Sequence, residues 1–144
     1  MVGACIVKDG KILLVKENRP NHHSHGQWNQ PAGWIDVGEN PISAVKREVK
    51  EETGYTFTPT ALFGVYSLVK KHRQKKSKDG LILPHAIKLI FVGNINGPQA
   101  KLAGDIQEVK WFTFTEVKKW ENQSFAIVIS RSLSLITLGV NFLA

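Results

Sequence analysis

One cysteine in 144 residues leaves no partner for an internal disulfide. Cys5 lies in the apolar run "VGACIV", away from any basic neighbour, and reads as a small core residue rather than a reactive thiol. Such cysteine usage fits a reducing, cytoplasmic setting. Long apolar runs are missing too. The opening "MVGACIVKDG" lacks the charged start and sustained apolar stretch of a secretory signal. In the C-terminal "SFAIVISRSLSLITLGVNFLA", Arg131 and several serines interrupt the apolar residues. A membrane span needs about 20 predominantly apolar residues. A packed terminal helix is therefore expected there, and no membrane attachment.

Acidic residues are also scarce, 12 against 19 Lys and Arg, for a net charge of +7. That surplus points to an anionic partner without choosing one. With 42% hydrophobic and 22% charged residues, the chain reads as one soluble domain over 1–144. Asp9-Gly10 between the runs "ACIV" and "KILLV" predicts a hairpin, with strands near 4–7 and 11–16. A polar loop, "ENRPNHHSHGQ", comes next. Asn40 as cap, Pro41 at the first helical position and Gly54 as stop predict a helix from Pro41 to Thr53. Strands are expected over 61–69 and 85–95, joined by a basic loop, and again over 108–114. A short helix near Thr115 follows, with Glu116 in its first turn. These elements make a mixed α/β fold.

Although carboxylates are few, three of the twelve fall within "REVKEETG", residues 47–54: Glu48, Glu51 and Glu52. At 100° per residue they occupy one arc of the helix. Beside them runs an apolar stripe of Ile42, Val45 and Val49, expected to face the core. Ala44 shares the carboxylate arc and, being small, should leave the space above it open. Like charges at these spacings repel, and the C-terminal end of a helix favours cations, so the placement is doubly unfavourable. Lys46, Arg47 and Lys50 are the cations on this helix, and they are expected to point mainly elsewhere. Two readings stand: a solvated acidic face, or an oxygen-donor site for a hard divalent cation such as Mg²⁺ or Mn²⁺.

The longer stretch "GWIDVGENPISAVKREVKEETGY", residues 33–55, resembles the box of the Nudix (MutT-like) hydrolase family. Gly33, Glu39, Arg47, Glu48, Val49, Glu51, Glu52 and Gly54 stand at the spacing of that pattern. Seven of these positions demand a single residue type, so a chance match is on the order of one in a million. Tyr55 departs from the usual aliphatic, a matter of packing. The resemblance covers essentially the whole chain and implies a mixed sheet between helices, an α/β/α sandwich. It also implies hydrolysis of a pyrophosphate bond in a nucleoside diphosphate linked to another group. On this resemblance Glu48, Glu51 and Glu52 are metal ligands together with the Gly33 carbonyl, and Mg²⁺ (or Mn²⁺) is the cofactor. Arg47 pairs with Glu39 and fixes the helix, Glu48 is first choice as proton acceptor, and Asp105 or Glu108 adds a distal carboxylate. Monomers or homodimers are both compatible with the family.

Residues 27–39, "QWNQPAGWIDVGE", are similar to a narrower bacterial branch bearing "WNQPAGHLE", which acts on pyrimidine pyrophosphates of thiamin metabolism and on nucleoside di- and triphosphates. Trp34, Ile35 and Asp36 replace its last three residues. Trp28 and Trp34 are candidates for stacking on a base, against ordinary packing at the rim of the core. His22, His23 and His25 precede them; with no cysteine or carboxylate adjacent they read as a polar loop, with His25 a candidate phosphate contact. Lys70, Lys71 and Arg73 open the basic run "KKHRQKKSKDG", read as a solvated hairpin tip or as a surface that steers an anionic substrate. The same run supports the alternative, an RNA- or nucleotide-binding scaffold without strong catalysis.

Overall fold

The computed structural model describes residues 1–20, 24–67, 86–99 and 104–119. Asp9 and Gly10 both take left-handed backbone, at φ 50° and 70°, which suits a tight two-residue turn. They join β2 (Val7–Lys8) to β3 (Lys11–Glu17), with Lys8 opposite Lys11. The strand expected near 4–7 is in fact two. β1 (Val2–Cys5) ends at Cys5, and β2 resumes after Ile6 in a different sheet. A hairpin signal fixes the turn, but nothing local reports that one arm changes sheets.

β4 (Trp28–Asn29) and β2 pair with β3, which also pairs along its length with β8 (Ile106–Thr113). The second sheet runs β5 (Ala32–Gly33), β1, β7 (Ile87–Asn96), β6 (Thr56–Ser67). β1 lies parallel to β7, and the other pairings are antiparallel, so the sheet is mixed. β6 begins at Thr56, five residues before the expected start, because it follows directly on the turn at Gly54 and pairs with the far end of β7.

Two cores explain the apolar runs. Val2, Ala4 and Leu13 join Val45, Val49, Phe57 and Phe91 on one side. Cys5, Ile12 and Leu14 join Phe63, Ile90, Phe112 and Val117 on the other. Strands buried on both faces have no polar positions, hence "ACIV" and "ILLV". Burial pushes the Cys5 thiol up to about 12, the behaviour of an inert core residue.

The first helix, α1, spans Pro41–Thr53. The Asn40 side chain accepts from Ser43 N at 2.9 Å, and Gly54 closes the helix in the left-handed region with its N–H on Lys50 O. Val45 and Val49 are fully buried, as is Ala44. Ile42 is not: it is 42% exposed, because the helix meets the core only from Ala44 onward. Ala44 therefore packs beneath the helix rather than opening a space above it. Thr113 and Glu116 form a reciprocal capping box that starts α2 (Phe114–Lys118).

The basic run containing Lys70, Lys71 and Arg73, His22 and His23, and the C-terminal helix expected from about 124 lie outside the described residues. Among those described, no helix is long and apolar enough to cross a membrane. Asn40→Ala should lower folding stability by about 1 kcal/mol, read as a shift in urea midpoint at unchanged slope.

Candidate active site

The linker between β5 and α1 sets out a group of carboxylates around one guanidinium. Arg47 donates from Nε to Glu39 Oε1 at 3.0 Å and from Nη2 to Glu39 Oε2 at 2.9 Å, a two-point fork. Nη2 also reaches the Trp34 carbonyl at 3.0 Å. Nη1 donates to Glu48 Oε1 at 2.9 Å and Glu51 Oε2 at 3.2 Å. Arg47 does not point away from the carboxylates, as helix geometry alone implied. A long arginine can reach back along its own helix, and here the folded linker brings Glu39 to meet it. Arg47 holds the Glu39 carboxyl below its usual range, and the Glu39 fork keeps the guanidinium firmly charged.

Glu48 faces β5. A Cβ at Gly33 would overlap its carboxylate, so only glycine lets this side chain lie against the strand. Burial raises the Glu48 carboxyl, a shift that Arg47 opposes and that Glu51 and Asp105 reinforce. Glu52 is 4% exposed, and its Oε2 accepts from Ala32 N at 2.9 Å. Burial pushes Glu52 up to about 8; the Ala32 N–H works against this, and Glu48, Glu17 and Asp105 add to it.

Asp105 lies in the field of Glu48 and Glu52, but its Oδ2 accepts from Arg19 Nη2 at 2.7 Å. Glu108 stands exposed on β8 opposite Lys16. Glu17, at the end of β3, is a buried carboxylate beside the site that the sequence did not single out; Arg19 Nε lies 3.3 Å from its Oε2. Its signal was faint, a lone acid ending an apolar strand.

Of the proposed substrate contacts, Trp28 packs edge-to-face on Phe112 at 4.7 Å, against the second core. Trp34 is 61% exposed, and its carbonyl is engaged by Arg47. His25 is exposed. Among the described residues no three Asp, Glu, His or Cys side chains converge on a single point. Arg47 draws Glu48 and Glu51 one way, while the Ala32 N–H draws Glu52 another.

A linker, helix and turn presenting acids in this order, on a mixed sheet flanked by helices, define the Nudix class of fold. The NUDIX domain model matches residues 1–132, and the chain belongs to the Nudix family. It is 35% identical over 118 residues to an ADP-ribose pyrophosphatase of Methanocaldococcus jannaschii, covering 82% of this chain and 63% of that protein. A MutT-like protein of Streptomyces ambofaciens is 27% identical over 127 residues, or 88% of this chain and 71% of that one. Among solved structures, a NUDIX hydrolase from Nitrosomonas europaea superposes with a TM-score of 0.74 at 29% identity, covering 98% of this chain and 89% of that one.

Because the folded state raises Glu52 from 4.5 to about 8, it favours the protonated acid. The stability this contributes is complete below about pH 4.5 and is lost as pH rises toward 8. In EDTA, Glu52→Gln should therefore gain on wild type by about 2–4 kcal/mol between pH 5 and pH 8. Urea midpoints of both proteins at the two pH values measure this. Equal pH dependence in the two proteins would remove Glu52 as the source.

Proposed function

We propose that this chain hydrolyses the pyrophosphate bond of a nucleoside diphosphate linked to a second moiety, with Mg²⁺ as cofactor. One observation carries the reading: a forked Arg47–Glu39 pair braces a helix face whose three remaining glutamates lack enough positive charge of their own. The donors fit a hard divalent cation. They are all oxygens, the Gly33 cradle admits the Glu48 carboxylate to the backbone of β5, and Glu52 is buried among acids without an ion pair among the described residues. Glu48, Glu51, Glu52 and the Gly33 carbonyl are the groups that would hold Mg²⁺ or Mn²⁺. A cation held by these groups would supply neutralisation of diphosphate oxygens and a more acidic water.

The protein's own part is positional and acid–base. Glu39 fixes Arg47, and Arg47 fixes the linker through the Trp34 carbonyl. Burial raises the Glu48 carboxyl, which supports assigning it the role of proton acceptor from the attacking water at an Oε atom. Trp34 offers an exposed indole beside the linker for a flat base. ADP-ribose is the first substrate to try, on the likeness to the Methanocaldococcus jannaschii pyrophosphatase. Pyrimidine pyrophosphates, on the resemblance of residues 27–39 to the branch bearing "WNQPAGHLE", come second, with nucleoside triphosphates and dinucleotides completing the panel.

With Mg²⁺, wild type should cleave ADP-ribose or another panel member into two phosphomonoesters or an equivalent pair. EDTA should stop the reaction. Glu48→Gln and Glu52→Gln should each lower kcat about 10²–10⁴-fold in folded protein. No turnover of any panel compound, or undiminished turnover in Glu52→Gln, would overturn the proposal.

A further inference from the structure

At the far end of the sheets from the carboxylates lies a half-open cleft of about 420 Å³. That size is ordinary for a small-molecule site. Its floor is the rim of the core beneath α1: Tyr55, just past the turn that closes the helix, Ile95 on β7 and Trp111 on β8, all partly buried. One lip is the β2–β3 hairpin turn, with Lys8, Asp9 and Lys11. The other is the end of β7, where Asn96 leads into Gly97. A Cβ at Gly10 or at Gly97 would meet no atom within 4 Å, so both lips border open space. The cleft is well separated from the acids. Gly3 pairs with Ala32, which Glu52 holds, and with Ile90. Asn96 lies six residues beyond Ile90 on β7, about 20 Å along the strand.

The hairpin lysines are placed unfavourably. Lys8 and Lys11 stand directly opposite each other, and like charges so placed destabilise a strand pair. By alternation Lys11 shares the face of Leu13, whose cross-strand partner is Trp111, so the ammoniums and the indole belong to one face. Among the described residues neither lysine forms an ion pair with a carboxylate. Glu116 lies in the field of Lys11, but its carboxylate accepts from Thr113 N and Oγ1, each at 2.7 Å. Asp9 in the turn offsets one positive charge and leaves one in surplus. A solvated hairpin tip accounts for two lysines. It does not account for an unfilled cleft beside them, floored by an indole and a phenol.

We propose that this cleft is a second binding site, for a nucleoside monophosphate. The flat faces of Trp111 and Tyr55 offer the base an apolar surface. Lys8 and Lys11 donate to the phosphate, whose negative charge relieves their mutual repulsion. The Asn96 amide adds a donor and an acceptor at the rim for the base or ribose. No bond is made or broken there, and the site stands whether or not the hydrolase reading does.

Adenosine monophosphate has no pyrophosphate bond, so its binding in EDTA tests the cleft without turnover or metal. In NMR spectra of isotope-labelled protein it should shift the Trp111 indole N–H, assigned with Trp111→Phe, and the amides of Gly10, Asn96 and Gly97. Gly33 and Glu52 should stay in place. By calorimetry, Lys8→Gln and Lys11→Gln should each weaken binding about fivefold or more, and inorganic phosphate should bind about tenfold more weakly than the nucleotide. Both lysines are exposed, and urea midpoints show the variants folded. No binding at millimolar nucleotide, or shifts centred on Gly33 and Glu52, overturns the proposal. So does a Kd within about twofold of wild type in both lysine variants. Equal affinity for phosphate and nucleotide also overturns it, since the aromatic floor then contributes nothing. Binding in the cleft without hydrolysis of any pyrophosphate defeats the hydrolase reading alone; hydrolysis without that binding defeats the second site alone.

Discussion

Like charges crowded onto one helix end are the constraint around which this molecule is arranged. Glu48, Glu51 and Glu52 repel one another at a helix terminus that already favours cations. The fold answers with one arginine. Arg47 touches Glu39, Glu48, Glu51 and the Trp34 carbonyl, so the linker, the helix and the edge of β5 are all referred to a single planar group. Lysine has the charge but not the fork, and could not hold Glu39 by two parallel bonds.

That answer is partial, and the remainder is informative. Arg47 compensates the outer acids, and Arg19 engages Asp105 and Glu17 on the other flank. Between them Glu52 is left buried, with a backbone N–H as its support and its carboxyl driven well up. A fold optimised for stability alone would place an amide there. On the reading proposed above, such a buried carboxyl is where a cation from outside would bind. Across the sheet the opposite imbalance appears, with Lys88 and the Gln30 amide buried over Gly3.

Much of the site was legible because α1 is a local object. Its cap, its stop and the spacing of its acids follow from the sequence at 3.6 residues per turn, and the box adds Gly33 and Glu39 at fixed distances. What failed were inferences about which way side chains point. Helical angle alone directs Arg47 away from the acids, yet its reach and the folded linker turn it back. Ile42 lies on the apolar stripe but beyond the core, since angle gives direction and not how far the neighbouring sheet extends. Glu17 carried only a faint signal and Lys88 and Gln30 none, since no local pattern separates them from the other polar residues of their strand or link.

By itself the sequence determined the helix and its ends, the turn at Asp9-Gly10, the apolar strands and the family, since each depends on residues near in the chain or at set spacing. The tertiary structure alone decided that β1 leaves its hairpin to lie parallel with β7. It also decided that Glu52 loses its water and that Gly3 gathers Lys88 and Gln30. Those facts arise from strand residues 29 to 87 positions apart meeting in one sheet. Desolvation and contact at such distances are properties of packing, and no local pattern encodes them.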